Sequence, residues 1–233
     1  MIKQKNRYKL SAEPRQRIDP RVMPVTGESP QERLQQSTPL FETRGRQYVE
    51  SRKIPVAIAH NAGVRFDPDW NGRPAVIVPM HGENHELCSV HGRYLHQSGS
   101  QDKMFTIGHG GGILSVGDGL NTDPVIIVEG LFDALSLAVC GYSSVATVGR
   151  RAPWLPAVCK GKTVLLAFDG NNPGECQAAF YKDFLAGAIT YRLTPPGHCK
   201  DWNTALVKRG QSVVVQCLRN YILQHRQENI INS

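Results

Sequence analysis

Two short apolar runs in the second half of the chain each end in a carboxylate. Glu129 closes VIIV and Asp169 closes VLLAF. In open parallel sheets, ligands bind at the carboxyl ends of the strands. About forty residues lie between the two acids, enough for a strand-helix-strand-helix-strand path, since each crossover takes a dozen or more. Parallel strands put both acids on one edge, and right-handed crossovers restrict the arrangement further. Carboxylates that converge repel each other unless a cation joins them. Hard oxygen ligands of this kind suit Mg²⁺ or Mn²⁺. The same residues also read as caps on the helices that follow, where acids are common and mildly stabilising.

The surrounding pattern supplies the elements that would position them. After residue 122, PVIIVEG, SSVATVG, TVLLAFDG and AITYRLTPPG read as strands. Between and after them LFDALSLAVCG, PGECQAAFYKDFLAG, DWNTALVKRG and QSVVVQCLRNYILQH read as helices. Strands alternating with helices predict an α/β domain with a mostly parallel sheet flanked by helices. Upstream, AVIVPM (75–80), ELCSVHGRYL (86–95) and MFTIG (104–108) predict a small antiparallel sheet, and FETRGRQYVESR (41–52) a helix. Residues 1–40 are polar and rich in Pro, Gln and Arg, which predicts a mobile arm with one short helix near 30–36. The expected organisation is an arm over 1–40, a small basic α+β subdomain over 41–120, the α/β domain over 121–208 and a C-terminal helix over 209–233.

Composition narrows the setting. Net charge is +7 and the pI is about 9.2, which fits a polyanionic partner such as nucleic acid. No apolar run reaches the roughly 18 residues needed to cross a bilayer, and the basic start lacks the apolar stretch of a secretory signal. A cytoplasmic protein is expected, with its six cysteines reduced. None is paired as CxxC. His81, His85, Cys88, His91 and His96 crowd one stretch, but their spacing is not a standard zinc pattern. A strand would point Cys88 and His91 to opposite faces. The GHGGG run at 108–112 reads as a turn or as a backbone cradle for phosphate.

Three motifs carry a family resemblance. VIIVEGLFDALSLAVCG resembles the first motif of Toprim domains, and LLAFDGNNPGECQAA resembles the second, where the family has Asp-x-Asp before a helix. TPPGHCKDWNTAL is similar to the Pro-Pro-Gly-x-Lys-Asp-Trp-Asn segment of phage and plasmid DNA primases. The stretch from AGVRFDPDWNGRPAVIVPM to VHGRYLHQ is similar to the smaller subdomain that precedes Toprim in such enzymes, so the resemblance covers roughly 40–206. It implies that Glu129 acts as general acid/base or helps hold metal, and that Asp169 is a metal ligand. Asn171 stands where the second aspartate belongs. It keeps one oxygen donor but loses the charge, which should lower metal affinity.

Supporting roles follow residue by residue. Gly130 gives a tight turn beside the metal, or simply ends a strand. Asp133, one helical turn after Glu129, matches a frequent family acid; it would hold a metal-bound water or sit as a first-turn helix acid. Lys200 would meet a phosphate and Asp201 would cap the next helix. In primases the preceding subdomain offers a basic surface for template and nucleotide. Arg65, Arg73, Arg93 and Lys103 fall there, with Arg93 able to face phosphate while Tyr94 is buried on the opposite face.

The resemblance implies a primase-like nucleotidyltransferase of a phage, plasmid or similar mobile element. It would make primers on single-stranded DNA from nucleoside triphosphates with Mg²⁺ or Mn²⁺, with a helicase as a further partner and no membrane. Asn171 motivates a second reading, a DNA-binding replication accessory without catalysis. A Toprim nuclease is the third, since the same acids can activate water.

Overall fold

The computed structural model of the protein describes residues 29–96 and 102–231, with side chains as far as residue 224. Helix α1 (Pro30–Gln36) opens with a capping box. The Ser29 hydroxyl accepts from the Glu32 N–H, and the Glu32 carboxylate accepts from the Ser29 N–H. Then come β1 (Thr38–Pro39), α2 (Arg44–Ser51), α3 (Val56–Asn61), β2 (Arg65–Trp70), β3 (Arg73–His81), β4 (Leu87–Tyr94) and β5 (Met104–Gly108). The strands form one antiparallel sheet in the order β1-β2-β3-β4-β5. The three strands expected here are β3, β4 and β5. β2 was not foreseen, because RFDPDW carries a proline and two aspartates. The pairing tolerates them through a register shift between Asp67 and Trp70, where Pro68 needs no ladder bond.

The expectation of a mobile arm over 1–40 is corrected at its end. Leu34 packs against the Trp70, Val90 and Tyr94 cluster, and Leu40 is fully buried. Arg33 Nη2 donates to Asp67 Oδ2 at 2.7 Å and to the Asp69 carbonyl at 2.8 Å. One leucine and one arginine dock a segment whose composition is otherwise polar. Residues 1–28 lie outside the described residues.

The second sheet is built from β6 (Leu114–Val116), β7 (Val125–Val128), β8 (Ser144–Ala146), β9 (Thr163–Leu166) and β10 (Ile189–Arg192). Its order is β10-β9-β7-β8-β6, parallel throughout except where β6 pairs with β8. The helices are α4 (Leu131–Val139), α5 (Leu155–Cys159), α6 (Asn172–Phe184), α7 (Trp202–Arg209) and α8 (Gln211–Ile231). Alternation along the strands sorts them to two faces. Ile126, Val128, Leu165 and Ala167 face a core shared with α4, α7 and α8. Val125, Ile127, Val164, Leu166 and Phe168 face one shared with α5 and α6. The first core also takes in Val76, Val78 and Met80 of β3, so the two sheets pack as one body. An isolated bridge, His81 with Ile113, links them through backbone hydrogen bonds of 2.9 Å in both directions.

Among the described residues no helix is long and apolar enough to cross a membrane.

The Arg33–Asp67 pair is mostly removed from water, with side-chain exposures of 13% and 7%. Removing one partner of such a pair strands the other. Asp67→Ala is therefore expected to cost about 3 kcal/mol in urea-unfolding free energy. A loss within about 0.5 kcal/mol, the range of ordinary surface changes, would show that α1 is not held by this pair.

Candidate active site

β7 and β9 are neighbours, with Ile127 opposite Leu166. The residues just past their ends, Glu129 and Asp169, therefore emerge side by side. β8 extends the edge, since the Thr147 and Val148 N–H groups donate to the Val128 and Glu129 carbonyls at 3.1 and 2.8 Å. The turn after Asp169 is tied to the third motif, because the Gly170 N–H donates to the Lys200 carbonyl at 2.7 Å. This brings Lys200 Nζ to 3.8 Å from Asp169 Oδ2. Helix α6 starts flush against the aspartate. A Cβ on Gly174 would lie 2.0 Å from the Asp169 carbonyl oxygen, so only glycine fits. Asn171 caps α6: its Oδ1 accepts from the Gly174 N–H at 2.9 Å, which turns its amide nitrogen to 3.4 Å from Asp169 Oδ2. The side-chain oxygen expected to serve a metal is thus engaged with the helix.

The acids at this edge hold their protons more tightly than free carboxyls. Burial, then the charge of Asp169, raises the pKa of Glu129, and Lys200 partly offsets this. Burial, then the charge of Asp201, raises that of Asp169, with Lys200, Asn171 and Arg192 pulling the other way. Asp133 is buried in α4 and pushed up to about 7, by burial and then by Asp201 and Asp169.

The Lys-Asp-Trp-Asn segment is mostly architecture. Asp201 caps α7 by accepting from the Thr204 N–H at 2.6 Å. The Trp202 indole N–H donates to the Ala167 carbonyl at 2.7 Å, within the strand end that carries Asp169. Asp133 Oδ1 accepts from the Trp202 and Asn203 N–H groups at 3.0 and 3.2 Å. It therefore seats the start of α7 on α4. Asn203 reaches across to the first subdomain: its amide donates to the Arg52 carbonyl at 3.0 Å, and Arg52 Nη1 donates back to Asn203 Oδ1 at 3.1 Å. The Arg52 guanidinium lies 4.1 Å from the centre of the Phe132 ring.

The expected basic residues do not form one surface. Arg65 lies on the opposite face of the first sheet from Arg93, as the pairings of Arg65 with Ile77 and of Ile77 with Gly92 require. Its guanidinium is committed to Ser37, at 2.7 Å to the hydroxyl and 2.5 Å to the carbonyl. Arg73 stacks 3.5 Å over the Tyr94 ring. Arg93 is half-buried beside β5 and Tyr94 is buried on the other face, as strand alternation predicts. Lys103 is exposed at the start of β5. On Arg93's own face lies buried His91, its Nδ1 2.9 Å from Thr106 Oγ1. Burial, then the charges of Arg150 and Arg93, depresses its pKa to about 3, so it stays neutral. Arg150, from the loop after β8, thus comes near the first sheet. The GHGGG run spans the two sheets and is anchored by the Trp154 indole N–H on the Gly111 carbonyl at 2.7 Å.

Residues 126–206 match the family described as Toprim-like. Solved structures share the fold over about four fifths of the chain. A structure of the Aquifex aeolicus primase with its zinc-binding and RNA polymerase domains is similar at a TM-score of 0.62 and 17% identity. That match covers 83% of this chain and 61% of the other, so the chain spans less than two thirds of that relative. The RNA polymerase domain of Mycobacterium tuberculosis primase DnaG matches at 0.63 and 16% identity, covering 80% and 79% of the two chains. The primase fragment of the bacteriophage T7 primase-helicase protein matches at 0.54 and 15%, covering 78% and 80%. Residues 126–206 are a Toprim-like domain, and the chain around them has a primase-like fold. No curated protein sequence matches it.

The Toprim edge fits a divalent cation in its chemistry. Glu129 and Asp169 are adjacent carboxylates, raised in pKa by burial and by neighbouring negative charge that Lys200 only partly offsets. A cation between them would relieve that repulsion. The donor set is sparse, and among the described residues no group of three or more His, Cys, Asp or Glu is arranged to hold a metal. Sequence reasoning missed Asn203, Arg52, Arg150 and Arg192, which act through contacts between elements far apart in the chain. Asn203 alone lay inside a quoted motif.

Asp133 predicts the sign of a pH effect. In an unfolded chain an Asp titrates near about 3.9, whereas in the folded protein this one titrates at about 7. Between those values the folded state binds the extra proton, so stability falls as pH rises through this window and levels off above it. The raised values of Glu129 and Asp169 act in the same direction. Urea midpoints of the metal-free protein are expected to be lower at pH 8 than at pH 5, and Asp133→Asn to narrow the gap. An unchanged gap in that variant would mean that Asp133 does not carry the effect.

Proposed function

We propose that this chain is a primase-type nucleotidyltransferase that extends primers on single-stranded DNA. The observation that carries the reading is the placing of Glu129 and Asp169 side by side at one strand edge of a Toprim domain, in a chain of primase-like fold. Glu129 and Asp169 would hold Mg²⁺ or Mn²⁺, which when bound supplies positive charge against a nucleoside triphosphate. Lys200, 64% exposed, adds a mobile ammonium at the same edge for phosphate. Arg93, and Lys103 at the rim, offer charge to the DNA backbone, which fixes register without reading sequence. As the alternative to holding metal, Glu129 would take the proton of the attacking 3′-hydroxyl as that oxygen bonds to the α-phosphorus and pyrophosphate leaves. Two relatives support the choice of partners: a structure of DnaG from M. tuberculosis holds double-stranded DNA with an overhang, and the T7 protein is a primase-helicase. On this reading a helicase is a partner in replication of a mobile element.

Asn171 favours a second reading, a replication accessory that binds DNA without polymerising. Its side-chain oxygen caps α6 and its charge is absent. The two readings separate by experiment. Calorimetry is expected to show Mn²⁺ binding to wild type, loss of it in Asp169→Ala, and tighter binding in Asn171→Asp, since ligand charge sets affinity. Primer synthesis by wild type with either metal would sink the accessory reading. If only Asn171→Asp makes primers, the natural chain is the accessory. Plasmid cutting that disappears in Glu129→Gln would instead point to a nuclease.

A further inference from the structure

β10 stops pairing with β9 at Arg192, opposite Leu166. Past that point the β9 chain runs on through Ala167 and Phe168 to Asp169. On its other side it is still supported, since the Ala167 N–H donates to the Ile127 carbonyl at 2.7 Å. On the β10 side the ladder ends with the Leu193 N–H on the Leu166 carbonyl at 3.1 Å.

The Arg192 side chain continues where the strand leaves off. Nη1 donates to the carbonyls of Leu166 at 3.0 Å, Phe168 at 2.8 Å and Leu193 at 2.7 Å. Nη2 donates to the Asp169 carbonyl at 2.6 Å and to Glu175 Oε1 at 2.6 Å, and Nε donates to the same carboxylate oxygen at 3.1 Å. The fork thus takes the Phe168 carbonyl, the next that a longer β10 would have reached, adds the Asp169 carbonyl, and shares the Leu166 carbonyl with the Leu193 N–H. Through Glu175, in the first turn of α6, it also ties the strand end to the helix start. A guanidinium has five N–H groups in one plane, and with one of the two on Nη1 shared between carbonyls it reaches all six contacts.

We propose that Arg192 is a positioning residue for the site. It fixes the main chain of Asp169 so that the carboxylate meets Glu129 and Lys200 at the edge. The inference rests on the reading of Asp169 as a metal ligand. It goes beyond ordinary structural support because the contact lies on the backbone of the ligand itself, on the side where the sheet has ended. Loss of the fork would leave this strand end held by β7, by the Trp202 indole on Ala167 and by the Gly170 bond to Lys200, with nothing from β10 on the carbonyls of Phe168 and Asp169 themselves.

The test measures Mn²⁺ binding by the full chain from the electron paramagnetic resonance of free Mn²⁺, alongside thermal unfolding. The proteins are wild type, Arg192→Met, Arg192→Lys, Asp169→Ala and Leu218→Ala. The last removes a fully buried side chain of α8 and serves as a destabilised control away from the edge. Arg192→Met is expected to bind Mn²⁺ about tenfold more weakly, the scale seen when a partner of a metal ligand is removed. Arg192→Lys keeps the charge without the fork and is expected to bind as weakly; should Arg192→Met fail to fold, this variant carries the test. Leu218→Ala is expected to bind as wild type does despite its lower melting temperature. Wild-type affinity in Arg192→Met or Arg192→Lys overturns the assignment and leaves the metal reading standing. So does equal weakening in Leu218→Ala, which would make the effect one of stability alone. A wild type that binds no Mn²⁺, or an Asp169→Ala that binds equally well, overturns the metal reading and this inference with it.

Discussion

The start of α7 has to be held against α4 for the acidic edge to exist in its observed form. The buried carboxyl of Asp133 does this by accepting the Trp202 and Asn203 N–H groups, two donors that open a helix and would otherwise lack partners. From that seat the Trp202 indole reaches the Ala167 carbonyl in the β9 extension, and the chain before it brings Lys200 to Asp169. The cost is a carboxyl in low dielectric, which is why it titrates so high. Buried polar networks of this kind are worth most when every member is satisfied. Here the bonds run on through Asn203 to Arg52, so the first subdomain leans on the same joint.

The first sheet divides its labour between two faces. Arg65 and Arg73 are drawn into holding α1, β1 and Tyr94, and are spent on the fold. Arg93 lies on the other face, beside a histidine that burial, and then two arginines, keep uncharged. A basic composition therefore overstates the charge available to a polyanion. Counting arginines along a strand gives the supply, whereas the pairing register gives the face that each one takes.

Much of this was legible in the sequence, for physical reasons that differ by element. The strands β7 and β9 are buried on both faces, so they read as continuous apolar runs, and the acids that end them stand out. The helices α4 and α6 begin at a glycine and at a capped Asn-Pro, both strong local signals. β6 and α5 were not legible. β6 has three residues between glycine-rich turns, and its pairing with β8 is set by the tertiary fold. Arg192 was illegible for a different reason. An arginine at the end of a strand looks like any solvated charge, and its value lies in carbonyls some twenty residues away in sequence, which only the folded chain brings together.

Asn171 has a consequence for how such a site can change over generations. Asn and Asp are about equally good at capping a helix, so the cap on Gly174 is indifferent to which of them stands there. Their codons differ by a single base. One point mutation can therefore add a carboxylate to the edge and keep the cap, at the cost of the amide contact with Asp169 and of a like charge beside it. The helix cap is neutral between the two states, and what tips the balance is whether a cation is there to offset the added charge.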